Sequence, residues 1–299
     1  MKRIFFLGVF QVGLAILFFS GAAFLGGSAA QAVVIDLGAA GVYAGANLYG
    51  TNEFAISGGG TVINGNIFVG DTANFSDLYF SGGGKIKGTI DKAPDATVRT
   101  SGGSSATGGT VHLTAAQSAQ VTTDLNAALS NINGLSATQT FSTQIKGGTI
   151  SSTTNTNVVD FTEGMYLSGG STLTFSGGAN DWFIVRVGKS LMTTGDSNIY
   201  ADGVGAGHLL FVVNGDVSMY GGTIDGTYIS TNGSMQAHRG THYGAYIQAS
   251  PGKTLKFMSD PTVNFEGFQP SHVPIPGSVL LFGTGLLGIG LLGWRRRRN

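Results

Sequence analysis

The chain has 299 residues, of which 50 are glycine, 6 are proline and none is cysteine. This composition suits one large β-rich domain with many tight turns and excludes disulfides and cysteine-based metal sites. Charged residues make up 11% and apolar residues 42%, a balance that argues against a disordered chain. The net charge is zero, but all sixteen acids lie in the central region, which therefore does not suit nucleic acid or an anionic membrane as a partner.

The N-terminal segment has the pattern of a secretion signal. Two basic residues precede an apolar stretch over residues 4–19, and Ala30 and Ala32 match the small-x-small pattern that signal peptidase recognises. We therefore predict a signal peptide over residues 1–32, cleaved after Ala32. The alternative is an uncleaved membrane anchor, because the apolar stretch is rather long.

Residues 33–272 repeat a loose theme, in which a glycine is followed by a short alternating strand and another glycine. Copies occupy residues 60–67, 84–90 and 222–229. Glycine permits the positive φ angles of sharp corners, and alternation turns one side of each strand inward. The fold class that this predicts is mainly β, an irregular β-solenoid whose rungs bury their inner sides by stacking. A β-sandwich with glycine-rich hairpins is the alternative, because the period is not fixed.

One segment, residues 114–133, contains neither glycine nor proline. Thr114 followed by Gln117 forms a capping box at its start, and Gly134 is expected to end it. Apolar residues at helical spacing mark one face, and they are Val121, Leu125, Ala128, Leu129 and Ile132. We predict one amphipathic helix that lies against the side of the solenoid.

The segment 181–188 indicates which side of its strand is buried. Neighbouring residues of a strand point to opposite sides, and Arg186 is expected to face outward. Phe183, Val185 and Val187 should therefore line the interior of the solenoid.

Six segments of the central region carry a resemblance to a known family. They are residues 37–44, 63–70, 161–166, 181–194, 210–213 and 226–229. Together with the position of the predicted helix, they resemble the bacterial ice-binding-like adhesin family over most of residues 36–248. This resemblance implies a discontinuous right-handed β-solenoid with one helix alongside.

The same resemblance implies a ligand-binding face. In that family ice is bound by a flat face of small residues, often threonine. The candidates for such a face are Thr149, Ser151, Thr153, Thr172, Thr174, Thr193, Thr223 and Thr227. A spacing of two residues places several of them on one side of a strand. The alternative is that they are ordinary solvent-facing strand threonines, because bulky residues such as Lys189 and Tyr220 interrupt a flat plane.

We predict no metal site, no cofactor and no enzymatic activity. His238 and His242 are four residues apart, which along a strand separates them by about 13 Å, too far for one ion. Asp202, Asp216 and Asp225 lie beside glycines and fit turn formation better than calcium binding. No nucleophile elbow, phosphate loop or zinc-protease motif is present. A carboxylate pair that acts on polysaccharide has no sequence motif of its own, and an enzyme of that kind is the third hypothesis.

The C-terminal segment, residues 273–299, has the order of a sorting signal, with a proline-containing motif, an apolar run over residues 277–294 and an arginine cluster. The motif and cluster residues are Val273, Pro274, Pro276, Arg295, Arg296, Arg297 and Arg298. The run predicts a transmembrane helix with the arginines on the cytoplasmic side. The segment resembles the PEP-CTERM sorting signal, although Ile275 replaces its usual glutamate. This resemblance implies an exosortase-type membrane protease as partner and a Gram-negative, often exopolysaccharide-producing host; a plain membrane anchor is the alternative.

Together these patterns predict an exported, surface-sorted, noncatalytic protein whose solenoid face binds an extended target, either ice or extracellular polysaccharide. The alternative is a structural component of the extracellular matrix without a discrete ligand. We expect a membrane-anchored precursor that later reaches the cell surface or the matrix. A flat, hydroxyl-rich face would favour ice, whereas an aromatic groove would favour polysaccharide.

Overall fold

A computed structural model describes residues 35–49, 53–70, 77–142 and 146–268, apart from the side chain at position 77. These residues belong to one compact unit, Val34–Pro274. The predicted signal peptide, the sorting motif, the apolar run 277–294 and the arginine cluster lie outside the described residues. Within the described ranges, no helix has the length and apolar character needed to cross a membrane.

The described chain is built from short strands and one long helix. The strands are β1 (Tyr43–Asn47), β2 (Phe54–Ile56), β3 (Val62–Asn64), β4 (Asn66–Val69), β5 (Asp77–Phe80), β6 (Lys85–Ile86), β7 (Ile90–Lys92), β8 (Thr97–Thr100), β9 (Ser105–Ala106), β10 (Thr110–His112), β11 (Gln139–Phe141), β12 (Gly148–Ser151), β13 (Thr156–Phe161), β14 (Met165–Leu167), β15 (Thr172–Ser176), β16 (Trp182–Val187), β17 (Leu191–Thr193), β18 (Asn198–Asp202), β19 (Leu209–Val213), β20 (Val217–Tyr220), β21 (Thr223–Ser230), β22 (Met235–His238), β23 (Thr241–Gln248), β24 (Leu255–Met258) and β25 (Thr262–Asn264). The helix is α1 (Ala115–Asn133), and two short 3-10 turns span Gly38–Val42 and Ala206–His208.

The strands stack in parallel into three faces. Face 1 is an eight-stranded sheet in the order β14-β17-β20-β22-β24-β2-β5-β8. Face 2 contains β12, β15, β18, the first halves of β21 and β23, and then β25, β3, β6 and β9. Face 3 contains β11, β13, β16, β19, the second halves of β21 and β23, and then β1, β4, β7 and β10. The parallel pairing confirms the predicted solenoid and excludes the β-sandwich, whose sheets are antiparallel.

The order of the rungs is not the order of the sequence. The C-terminal strand β24 pairs with the N-terminal strand β2, with Leu255 opposite Phe54. The N-terminal rungs therefore continue the stack that the C-terminal rungs begin. The helix α1 connects β10, in the last rung, with β11, at the opposite end of the stack.

The helix matches its sequence pattern. Thr114 is the N-cap, its hydroxyl accepts from the backbone N–H of Gln117 at 3.3 Å, and the Gln117 side chain accepts from the Thr114 backbone N–H at 2.9 Å. The helix ends at Asn133 before Gly134, as predicted. Nineteen residues extend about 28 Å, which is close to six rungs of about 4.8 Å.

The helix covers face 3. Its buried residues Val121, Leu125, Ala128 and Ile132 pack in one cluster with outward side chains of six successive rungs. Those side chains include Ile184, Leu210, Ile229, Ile247, Ala46 and Phe68. The outward side of face 3 and the buried side of α1 therefore form a second hydrophobic core.

The interior of the solenoid confirms the predicted side of β16. Phe183, Val185 and Val187 are at most 2% exposed and belong to the inner core. Arg186 points outward, where its guanidinium pairs with both carboxylate oxygens of Asp160 at 2.6 and 2.8 Å. It also donates to the backbone oxygens of Ile132 and Leu135 at 3.1 and 2.9 Å, and so fixes the C-terminal end of α1 to face 3.

Candidate functional site

Faces 1 and 2 are the candidate binding surfaces, because α1 covers face 3. Face 2 carries a row of small polar side chains on five successive rungs, here called the threonine row. Its members are Thr172, Asn198, Thr223, Thr241 and Thr262. Each is exposed or half-buried, and Val62 continues the row on the next rung.

Hydrogen bonds hold the first part of the threonine row in place. The Asn198 amide donates to the Thr172 hydroxyl at 3.3 Å and its oxygen accepts from the Thr223 backbone N–H at 2.8 Å. The residues behind the row, such as Leu173, Ile199 and Ile224, are fully buried in the inner core. The row therefore sits on a rigid backing, with neighbours about 4.8 Å apart.

A second outward row runs beside the first on face 2. It reads Thr149, Thr174, Tyr200, Asp225, Tyr243, Asn264 and Asn64 across successive rungs. Tyr200 is 48% exposed, and its large side chain projects from face 2. Asp225 is 6% exposed and accepts from the Ala201 backbone N–H at 2.9 Å, and its burial raises the pKa of its carboxyl group. Face 2 is therefore smooth along one row and raised along the other.

Five of the eight threonines and serines predicted for a ligand face do share face 2. Thr149 lies opposite Thr174, and Ser151 lies on the same side of β12. Thr172 and Thr223 belong to the threonine row itself. The ligand-binding role of all five stays a prediction.

Three predicted residues lie elsewhere. Thr153 is in the exposed turn after β12, where its backbone N–H donates to the Asn157 side chain at 2.7 Å. Thr193 is fully buried because it points into the core from β17, and its hydroxyl accepts from the Tyr220 backbone N–H at 3.0 Å. Thr227 is fully buried because it lies on face 3, where its hydroxyl accepts from the Phe268 backbone N–H at 3.1 Å. The prediction that Thr193 and Thr227 belong to an exposed face is wrong.

Sequence reasoning missed Asn198, Thr241 and Thr262. Thr223 and Thr241 both follow a left-handed glycine, Gly222 or Gly240, at the corner between faces 1 and 2. Aligning the rungs on this corner would have placed Thr241 beside Thr223. This alignment requires the order of the rungs, which no local sequence pattern specifies.

Face 1 has a different character. Its central outward row reads Tyr166, Met192, Ser218, Gln236, Lys256, Ala55, Tyr79 and Arg99. The Arg99 guanidinium lies over the Tyr79 ring at 5.6 Å. Large aromatic, aliphatic and charged side chains follow one another on this face, so it does not form a regular plane.

The two histidines considered as metal ligands have separate environments. The His238 ring stacks on Tyr220 at 4.4 Å on face 1. His242 is 1% exposed, bonds to the Arg239 carbonyl oxygen at 2.7 Å and to the Tyr246 hydroxyl at 2.6 Å, and burial lowers its pKa to about 4. In the part of the chain that the structure describes, no three histidine or acidic side chains are grouped as a metal site would require.

The three aspartates considered for calcium each accept hydrogen bonds from the protein. Asp202 accepts from the Ser176 hydroxyl at 3.2 Å and Asp216 accepts from the Ser234 backbone N–H at 2.8 Å. Asp225 accepts from Ala201, as described above. These contacts are those of residues that stabilise turns and strand ends.

Comparison with known proteins gives matches among solved structures. No protein-family model matches the sequence, and no curated protein matches it. An ice-binding protein from an Antarctic biological consortium is 18% identical, with a TM-score of 0.55 over 77% of this chain and 91% of that chain. An ice-binding protein from the Antarctic ascomycete Antarctomyces psychrotrophicus is 20% identical, with a TM-score of 0.54 over 79% and 100%. Ice-binding protein 1 of Shewanella frigidimarina is 13% identical, with a TM-score of 0.54 over 78% and 98%.

These matches establish the fold. The parallel solenoid with one helix alongside is the architecture of solved structures that are described as ice-binding. The matches cover 91%, 100% and 98% of these three solved chains.

Proposed function

We propose that the protein is a noncatalytic ice-binding protein that contacts ice through the threonine row of face 2. The single observation that carries the proposal is the alignment of Thr172, Asn198, Thr223, Thr241 and Thr262 on five successive rungs. The fold that the chain shares with ice-binding proteins supports it. Under this proposal the protein has no catalytic residues.

Ice binding needs a row of contacts because a single contact contributes little binding free energy. A hydroxyl group that binds ice must give up hydrogen bonds to liquid water, so its net contribution is small. Affinity therefore requires many such groups at regular intervals on a rigid surface. The parallel ladder supplies the interval, and the packed core behind the row supplies the rigidity.

Extracellular polysaccharide is the second candidate target. Tyr200 and Tyr243 stand in the row next to the threonine row, and aromatic rings are surfaces on which sugar rings can stack. These two tyrosines would hinder a flat ice surface but would help a sugar polymer. The two targets therefore predict opposite effects of the same substitution.

Replacing Tyr200 by threonine distinguishes the two targets. If face 2 binds ice, Tyr200→Thr extends the smooth surface and should increase the inhibition of ice recrystallisation. If face 2 binds polysaccharide, the same change should weaken co-sedimentation with the host's exopolysaccharide and leave ice growth unaffected. A protein that neither shapes ice nor slows recrystallisation, before or after the change, would contradict the ice proposal.

We further propose that the protein is exported and sorted to the cell surface or the extracellular matrix through its two terminal segments. The small-x-small pattern at Ala30 and Ala32 supports cleavage by signal peptidase. The prolines, apolar run and arginines of residues 273–299 support a membrane-held precursor that an exosortase-type protease processes. Replacing the four arginines by serine should impair C-terminal maturation in the native host, and unchanged maturation would contradict this sorting proposal.

A further inference from the structure

A cleft of about 470 Å³ lies where face 1 turns into face 2, next to the start of the face 2 strands. Its lining includes Thr194, Asp196, Tyr220, His238, Arg239 and Ser259, together with two corner glycines. The volume is within the range of small-molecule sites. The lining combines aromatic rings with a carboxylate and a guanidinium, so the cleft offers both a stacking surface and hydrogen-bonding groups.

The backbone at this cleft is unusual for the solenoid. At most corners between faces 1 and 2 the left-handed positions are glycine, as in Gly221–Gly222. Of the described non-glycine residues with positive φ, Asp196 (φ 56°), Arg239 (φ 52°) and Ser259 (φ 60°) line the cleft, and Asp260 follows directly. A residue other than glycine costs free energy in this left-handed backbone conformation. Such strained residues cluster at binding sites, where the side chain has a function.

A buried histidine stabilises the backbone conformation of Arg239 from the core side. A carbonyl oxygen only accepts hydrogen bonds, so His242 Nε2 donates to the Arg239 carbonyl at 2.7 Å. His242 Nδ1 then accepts from the Tyr246 hydroxyl at 2.6 Å inside the core. The buried histidine therefore fixes the turn that presents the Arg239 side chain to the cleft.

Tyr220 provides a fixed aromatic wall. Its ring is parallel to His238 within 8°, and its hydroxyl accepts from the Gln236 amide at 2.9 Å. Burial and the nearby Arg239 charge lower the pKa of His238, which favours the neutral form of its ring. His238 occupies one face of the Tyr220 ring, and the other face lies on the side of Thr194, which also lines the cleft.

Asp196 and Arg239 flank the glycine corner Gly221–Gly222, two rungs or about 9.6 Å apart along the stack. Within the described chain, neither side chain forms an ion pair with another. A ligand that reaches both must carry a donor for the carboxylate and an acceptor for the guanidinium. A sugar ring carries hydroxyl groups around its whole edge, and each hydroxyl can both donate and accept.

We propose that this cleft binds one pyranose unit of a neutral saccharide. The apolar side of the sugar ring stacks on the free face of Tyr220. One hydroxyl donates to the Asp196 carboxylate, which lies on the Thr194 side of Tyr220, and another accepts from the long Arg239 side chain, which reaches the sugar past the Tyr220–His238 pair. This site lies outside the threonine row and does not depend on ice binding.

The test is a titration of the full-length protein with the methyl glycosides of glucose, mannose and galactose, followed by NMR or calorimetry. At least one should bind in the millimolar range. Asp196→Gly and Arg239→Gly should each weaken that binding at least tenfold without lowering the melting temperature, because glycine adopts the left-handed conformation without steric cost. Tyr79→Ala, which removes an exposed tyrosine of face 1 on a strand that does not border the cleft, should bind as the unmodified protein does.

The proposal is overturned if none of the three glycosides binds at millimolar concentration, or if both glycine variants bind as tightly as the unmodified protein. Binding of glycine or a dipeptide in place of the glycosides would also overturn it. The two glycine variants should retain whatever activity toward ice the unmodified protein has. Failure of the saccharide site and failure of the ice proposal can therefore be distinguished.

Discussion

Faces 2 and 3 share two long strands, but the outward side of face 2 is open to solvent and that of face 3 is covered. The strands β21 and β23 cross both faces, with Thr223 and Thr241 outward on face 2. Further along the same strands, Ile229 and Ile247 are outward on face 3 and are fully buried under α1. The side chains of the outward rows, and not the solenoid itself, therefore decide which face becomes core and which stays available for a ligand.

The inner side chains do not make this distinction. Ile224 behind face 2 and Tyr228 behind face 3 are both fully buried in one continuous core. A change inside the solenoid should therefore affect both faces, a change in the helix should affect face 3, and a change on face 2 should affect binding alone.

The largest effect is expected inside the solenoid, at Phe183. Its ring is fully buried and lies 5.3 Å from the Phe175 ring in an edge-to-face arrangement. Phe183→Ala should lower the free energy of unfolding by about 3–5 kcal/mol, because it leaves a cavity in a packed core. Thr174→Ala, a change on the outward side of face 2, should stay within about 0.5 kcal/mol in the same denaturant titration. Equal effects of the two changes would contradict the assignment of sides.

A second effect of similar size should appear as a pH dependence caused by His242. Its pKa is lowered from 6.5 to about 4 in the folded protein, so the unfolded state binds the proton more readily. The resulting contribution to stability is complete above pH 6.5 and is lost as the pH falls toward 4. Over that interval the loss amounts to about 3 kcal/mol.

The variant His242→Gln isolates this contribution. Between pH 6.5 and 4 its stability should fall less steeply than that of the unmodified protein, by the amount that His242 contributes. The same substitution at the exposed His112 should leave the slope unchanged. Parallel slopes for His242→Gln and the unmodified protein would show that His242 is not buried in its neutral form.

A smaller effect is expected in the helix that covers face 3. Thr114→Ala removes the N-cap and should lower the free energy of unfolding by about 1 kcal/mol. Thr123→Ala is the matched control, because its exposed hydroxyl donates only to the Ala119 carbonyl one turn earlier and alanine favours the helix. If both changes lower the free energy of unfolding by the same amount, the capping box does not stabilise the helix.

Local features were the predictable part of this fold. The capping box at Thr114 and Gln117 fixed the start of the helix, and the alternation around Arg186 identified the inner side of β16. Both depend on residues that are neighbours in sequence. They could be derived without knowing how the rungs are ordered.

The arrangement of the rungs could not be derived in this way. The pairing of β2 with β24 joins residues about two hundred positions apart, and no local pattern specifies it. Thr193 shows a related difficulty, because a buried threonine can satisfy its hydroxyl inside the core and then resembles an exposed one in sequence. Thr227 was misplaced because its face is covered by distant elements, among them Phe268. The threonine row became visible only when the rungs were stacked.

The same substitution on face 2 and on face 1 tests whether the threonine row contacts ice. Thr241 lies in the threonine row of face 2, and Thr97 is an exposed threonine of β8 on face 1. Thr241→Tyr should abolish ice shaping and the inhibition of recrystallisation while the melting temperature stays unchanged, because one bulky side chain holds the whole row away from the crystal. Thr97→Tyr should leave both activities intact. Loss of activity in Thr97→Tyr together with full activity in Thr241→Tyr would show that face 2 is not the surface that contacts ice.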